Sequence, residues 1–169
     1  MKILIISLPR TGSNFLMKQY SEKYNLKMIG EPYNLINKYE NWENEDNIIV
    51  KTIINQIPEG ISNAIHYYAD FHKKFDETIL LSRKNKIECA ESLAFLNYNE
   101  KNGFKYNQEY EWYPTPNFNE SLKFIEECSN QLIELSNLLN KDIIFYEDLF
   151  ELNSKNRLRK GNLKPNKLI

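Results

Sequence analysis

Short, near-continuous apolar runs at Ile3–Ser7, Asn47–Thr52, Thr78–Ser82 and Asp142–Tyr146 alternate with longer amphipathic stretches at Ser13–Tyr24, Ile61–Lys74, Lys84–Lys101 and Asn117–Asn140. That alternation constrains the fold more than any other feature. Runs of Ile, Leu and Val without an intervening polar face fit strands covered on both sides, and strands separated by helices join in parallel. The prediction is an α/β fold of three layers, a mainly parallel central sheet flanked by helices. Ligands of such sheets gather beyond the carboxyl ends of the strands.

The 169 residues suit one domain spanning 1–169. Basic and acidic residues balance at 22 against 23, which argues against a nucleic-acid partner. The opening apolar run breaks at Pro9-Arg10, too early for a signal peptide or a membrane span, so it reads as a buried strand in a protein without a membrane partner. Cys89 and Cys128 both fall in helical patterns rather than in a metal-binding or disulfide spacing, which predicts a reduced, cytoplasmic protein with no metal site. Between the last two helices, Asn102–Pro116 holds Gly103, two prolines and the aromatics Phe104, Tyr106, Tyr110, Trp112 and Tyr113 without a period. It reads as a long loop of the kind that covers a site.

The first strand runs straight into Ser7-Leu8-Pro9-Arg10-Thr11-Gly12-Ser13-Asn14 and then into a helix. A turn of this type aims backbone N–H groups and the positive helix end at an anion. Gly12 would allow close backbone approach, Thr11, Ser13 and Asn14 would add donors, and Arg10 would add full charge, making the fold P-loop-like. Ser and Thr are also good helix caps, so the same segment fits an ordinary capped helix. A nucleoside-triphosphate loop would carry Gly-x4-Gly-Lys-Ser/Thr and an acidic residue on a neighbouring strand to hold magnesium. Here there is no Gly-Lys pair, and the strand at Ile48–Val50 ends in Lys51-Thr52. Positive charge in that place suits an anionic donor handled without a metal.

With four motifs in order, the chain resembles the sulfotransferases that use 3′-phosphoadenosine 5′-phosphosulfate (PAPS). Leu8 to Asn14 is similar to the family's 5′-phosphosulfate loop. Leu80-Leu81-Ser82-Arg83, with Ser92 nine residues beyond Arg83, resembles the 3′-phosphate motif, and the intervening Lys86 to Ser92 is most similar to the trehalose 2-sulfotransferase-like branch. Tyr146-Glu147-Asp148-Leu149 resembles a motif that follows a late strand in many members, and Arg159-Lys160-Gly161 resembles the family's C-terminal phosphate clamp. The resemblance implies PAPS as donor and its product 3′-phosphoadenosine 5′-phosphate (PAP) as the released nucleotide. It also implies a cofactor site of Arg10, Thr11, Gly12, Ser13, Asn14, Arg83, Ser92, Arg159, Lys160 and Gly161. The tail 155–169, with six Lys or Arg between Lys155 and Lys167, would close on the cofactor, although a basic tail without structure fits the same composition.

One departure bears on catalysis. In the cytosolic members Lys-Thr is followed by a histidine that serves as general base, and here the residue is Ile53. His66 and His72 both fall on the helical stretch 61–74 and read better as packing or surface residues. Glu31 follows Lys27-Met28-Ile29-Gly30 and precedes Pro32, which should hold it extended at a strand end, and some branches use a carboxylate base after the first helix. The expected catalytic set is thus Glu31 as base, with Lys51 and Arg10 stabilising charge on the leaving phosphate oxygen. The aromatic segment Phe104–Tyr113 would contact a small-molecule or carbohydrate acceptor. A homo-oligomer whose second subunit completes the acceptor side is also compatible with so short a chain. Two other functions fit parts of the pattern: a P-loop nucleotide or small-molecule kinase, and a non-catalytic PAP- or PAPS-binding protein.

Overall fold

The computed structural model describes residues 1–34, 39, 41–101 and 117–149. The aromatic segment Phe104–Tyr113 and the clamp residues Arg159, Lys160 and Gly161 lie outside the described residues, as does the tail.

Five strands, β1 (Lys2–Ser7), β2 (Lys27–Gly30), β3 (Ile48–Ile53), β4 (Glu77–Ser82) and β5 (Ile143–Phe145), form one sheet in the order β2-β3-β1-β4-β5. Every pairing is parallel, so the predicted parallel sheet holds throughout the described residues. β1 lies at the centre, with Ile5 opposite Lys51 on one side and Ile79 on the other. The helices are α1 (Ser13–Tyr24), α2 (Ala64–Phe71), α3 (Lys86–Lys101), α4 (Phe118–Leu139) and α5 (Tyr146–Leu149). Three differences from the predicted elements concern boundaries. Lys27–Gly30 pairs with β3 as an edge strand, α2 begins at Ala64 because the Asn63 side chain accepts from the His66 N–H, and the last strand stops before Tyr146.

Strand periodicity sorts the core into two faces. Leu4, Ile6, Val50 and Leu80 point to one side, where Tyr68 and Phe71 of α2 and Leu132 and Leu135 of α4 cover them. Ile3, Ile5, Ile49 and Leu81 point to the other, under Leu16, Met17 and Tyr20 of α1 and under Tyr146 and Leu149 of α5. These are the three layers expected from the sequence. α3 packs on α4 through Cys89, Ala90 and Ile125, and both cysteines are free and buried. Among the described residues no helix is long and apolar enough to cross a membrane.

Parity also decides what the polar ends of the strands can reach. Lys51 follows Ile49 on the α1 side, whereas Thr52 follows Val50 and its hydroxyl meets the Tyr68 hydroxyl at 2.8 Å. Adjacent residues of β3 therefore serve opposite faces of the sheet.

Candidate anion-binding site at the carboxyl edge of the sheet

The loop after β1 starts α1 with a glycine cap. Gly12 is the N-cap residue, with φ 77° and no side-chain hydrogen bond to the helix. The reading of this segment as an ordinary Ser- or Thr-capped helix is therefore wrong. The Thr11 hydroxyl is fully buried and donates to the Leu8 carbonyl at 3.0 Å. It closes the loop on itself and does not supply the donor proton expected of it, because a buried hydroxyl needs an internal partner. Ser13 is buried in the first turn and Asn14 is exposed beside it. With no cap from within, the first N–H groups of α1 stay directed out of the helix end, where the dipole favours an anion.

Gly12 is required for a reason that the sequence does not show. A Cβ there would meet the Tyr146 ring at 2.9 Å from Cδ2, and Tyr146 is fully buried. The ring forms a floor beneath the loop. Burial pushes the Tyr146 phenol up to about 12, with Arg83 pulling the other way, so the ring and the Arg83 guanidinium share one neighbourhood.

Arg10 also has a left-handed backbone, φ 62°, and its Nε donates to Ser92 Oγ at 2.9 Å. The Cys89 thiol donates to the Arg10 carbonyl at 3.7 Å, and burial raises that thiol to about 11. The predicted phosphate loop and the predicted 3′-phosphate helix are thus joined in one place. Ser92 takes its hydrogen bond from Arg10 and not from Arg83, with which it was expected to converge.

Arg83 stands at the end of β4 and is only 4% exposed. Its Nη2 donates to Glu88, in the first turn of α3. Among the described residues its Nε is buried without a hydrogen bond, and Glu147 Oε1 stands 3.5 Å away, close enough for charge attraction but poorly directed. Glu147 is otherwise occupied: its carboxylate accepts from the Lys84 N–H at 3.0 Å and the Asn85 N–H at 3.2 Å. Asn85 caps α3 by accepting from the Glu88 N–H at 3.2 Å. Tyr146 and Glu147, adjacent in one short helix, therefore support both predicted phosphate sites, the first under Gly12 and the second behind Arg83.

On the other side of β1, Glu31 and Lys51 form an ion pair, with side chains 22% and 5% exposed. β2 and β3 pair in register up to Gly30 and Lys51, which brings the next residue, Glu31, to the lysine's side. The carboxylate also accepts from Gln56 Nε2 at 2.8 Å and Asn34 Nδ2 at 3.4 Å. Burial pushes the Glu31 carboxyl up, but the Lys51 ammonium and these hydrogen bonds together outweigh it and hold the group below its ordinary value. The expectation that Pro32 would keep Glu31 extended is overturned: its φ is 50°. The Glu31 N–H donates to the Lys51 carbonyl at 2.6 Å, and this bond with the side-chain contacts holds a conformation that the following proline disfavours. His66 is exposed on α2, beyond the opposite face of the sheet from Lys51, and His72 is half-buried at the end of that helix, its basicity lowered by burial and by Lys141 and Lys73.

Sequence reasoning missed Gln56, Glu88 and the supporting part of Glu147. Glu88 had a signal, since Asn85-x-x-Glu88 is a capping pattern and places the glutamate one turn from Arg83. Gln56 had none, because its contact depends on how the chain turns after β3.

No family model matches the chain, and no curated protein matches it. Among solved structures, a de novo designed protein described as having a P-loop NTPase fold, determined by solution NMR, is similar over 80% of this chain and 96% of that one, at 16% identity and a TM-score of 0.25. So low a score supports no inference about function, and the fold described above rests on strand order, register and helix packing.

Proposed function

We propose that this protein is a sulfotransferase that moves a sulfuryl group from PAPS to a hydroxyl or amine of an acceptor and releases PAP. The observation that carries the reading is the Arg10 Nε to Ser92 Oγ hydrogen bond at 2.9 Å, which brings the loop after β1 and the start of α3 together beside the buried Arg83. Two cationic groups at the ends of β1 and β4 suit a donor with phosphates at both its 5′ and 3′ positions. The chain's own groups fit such a donor, since among the described residues Arg83 Nε is buried without a hydrogen bond and the first turn of α1 has no side-chain cap. Lys51 at the end of β3 adds positive charge where a magnesium-dependent kinase would place an acid.

On this reading the donor supplies an activated sulfuryl group, and the protein supplies orientation, charge and a proton acceptor. Arg10, Gly12, Ser13 and Asn14 hold the 5′ end through charge and backbone N–H groups. Arg83 holds the 3′-phosphate once that phosphate takes the place of Glu88 on the guanidinium, and Ser92 assists. Arg159, Lys160 and Gly161 are assigned to the same phosphate by resemblance. Lys51 exchanges Glu31 for the developing negative charge at the 5′ end. That exchange leaves Glu31 without the cation that lowers its basicity, and the carboxylate then takes the acceptor's proton. The enzyme works in the cytoplasm on this reading, with a small-molecule or carbohydrate acceptor.

Thermal stability with added nucleotide tests the reading. PAP at a hundredfold excess over its Kd should stabilise the fold by about 2.7 kcal/mol. ATP with magnesium should do much less. Equal shifts would favour a kinase, and no shift with PAP would remove the proposal.

A further inference from the structure

The two oxygens of the Glu31 carboxylate have different partners. Oε1 takes the Lys51 ammonium. Oε2 accepts from Gln56 Nε2 at 2.8 Å and more weakly from Asn34 Nδ2 at 3.4 Å. Lys51 is the partner that turns to the ligand on the proposed reading, so the contacts on Oε2 are what keep Glu31 in place when the lysine leaves.

Gln56 is held independently of that lysine. β3 ends in a turn over residues 53–56, closed by the Gln56 N–H on the Ile53 carbonyl at 2.8 Å, and the Ile54 N–H ties the turn to the Ser7 carbonyl of β1 at 3.0 Å. The Gln56 carbonyl accepts from the hydroxyl of Tyr68, a fully buried residue of α2 that also meets the Thr52 hydroxyl at 2.8 Å. The side chain folds back on the strand end, where its Oε1 accepts from the Ile53 N–H at 3.3 Å. This last bond fixes which way the amide faces. Turned over, it would set N–H against N–H and oxygen against a carboxylate. Nε2 is therefore left as a donor aimed at Glu31, and Ile53, which stands where the cytosolic sulfotransferases carry a histidine, contributes through its backbone.

Glu31 needs such an anchor. A φ of 50° just before Pro32 persists only where surrounding contacts hold it. The kind of anchor also matters. A cation on Oε2 would keep the carboxylate from accepting a proton, whereas a neutral amide restrains it and lowers its basicity less.

We infer that Gln56 is a positioning residue, which anchors Oε2 of Glu31 through the turn after β3 and so leaves Oε1 as the oxygen that takes a proton once Lys51 is withdrawn. The acceptor's O–H bond breaks as a lone pair of Oε1 forms the new one, and the resulting neutral acid keeps Gln56 on Oε2. The proton transfer rests on the proposed sulfotransferase reading, while the anchoring rests on the turn.

Nuclear magnetic resonance on protein labelled at the glutamate Cδ and the glutamine side-chain nitrogen tests this in Lys51→Met, which removes the cation and leaves the turn intact. The Glu31 carboxyl and the Gln56 amide should titrate with one common midpoint, because a proton on Oε1 weakens the bond that Oε2 accepts. Adding Gln56→Met should move the Glu31 midpoint up, and Gln56→Met in the otherwise unaltered chain should do the same if the double variant fails to fold. In wild type, saturating PAP should raise the Glu31 midpoint while the Gln56 amide stays coupled to it. A Gln56 amide that ignores the titration of Glu31 overturns the inference, as does a Glu31 midpoint that Gln56→Met leaves unchanged. Loss of the coupling on PAP binding also overturns it, since the anchor then depends on Lys51. Coupled titration in a protein that does not bind PAP would sink the sulfotransferase reading and leave Gln56 as the anchor of Glu31.

Discussion

Replacing Gly12 with alanine tests how the loop after β1 is held. Two costs add. An alanine at φ 77° occupies a left-handed conformation, which costs roughly 1–2 kcal/mol. Its Cβ would also press on the Tyr146 ring, 2.9 Å from Cδ2, and because that ring is fully buried it cannot swing away. Overpacking of this kind costs roughly 1–3 kcal/mol. The sum, about 2–5 kcal/mol, should lower the urea midpoint by about 1–2.5 M at a slope near 2 kcal/mol/M, with the slope unchanged. Tyr146→Leu separates the two parts. In the double variant the steric cost should largely disappear and the backbone cost remain, giving a coupling of about 1–3 kcal/mol between the sites. The reasoning is refuted if Gly12→Ala lies within about 0.5 kcal/mol of wild type, or if the two substitutions simply add.

Glu147→Gln should loosen the turn at Lys84-Asn85 and weaken PAP binding by roughly tenfold, since hydrogen bonds to a charged group contribute about 1.5–3 kcal/mol and the amide keeps only part of them. Calorimetric titration against wild type reads this, and an unchanged Kd would show that Glu147 does not position Arg83. The Glu31 pair predicts a pH dependence. A carboxyl whose folded-state pKa is depressed adds stability that is present above its unfolded value, near the ordinary 4.5, and is lost as pH falls through the folded one. Urea midpoints measured from pH 6 down to about pH 3 should therefore fall more steeply for wild type than for Glu31→Gln, and parallel curves would mean that the pair does not lower this carboxyl.

Much of the framework was legible because it follows from periodicity. The Ile/Leu/Val runs of β1, β3 and β4 and the 3.6-residue patterns of α1 and α4 each state a burial pattern directly, and a parallel sheet is what such runs form when helices separate them. β2 was harder. Only Ile29 of its four residues is fully buried, so Lys27–Gly30 reads as a short segment until its pairing with β3 is seen. Tyr146 ends the apolar run Asp142–Tyr146 that reads as the last strand, and the short helix instead turns its ring under Gly12. At the site, motif spacing identified Arg10 and Ser92 but not that they touch, because their contact spans 82 residues and depends on how α3 crosses the sheet edge. Of the three residues expected to act in catalysis, the Arg10 side chain bonds Ser92, whereas Glu31 and Lys51 meet. Their pairing as an ion pair was not legible, since neighbouring strand ends are defined only once the order β2-β3-β1 is known.

The most direct measurement is the affinity of the purified protein for PAP and for adenosine 5′-monophosphate, which lacks the 3′-phosphate, in wild type and in Arg83→Ala. A charge-assisted contact to the 3′-phosphate contributes about 1.5–3 kcal/mol, so wild type should prefer PAP by about ten- to hundredfold. In Arg83→Ala that preference should collapse towards unity, with adenosine 5′-monophosphate binding nearly unchanged. Equal binding of the two nucleotides by wild type, or a preference that survives the loss of Arg83, would contradict a nucleotide site with its 3′-phosphate on Arg83.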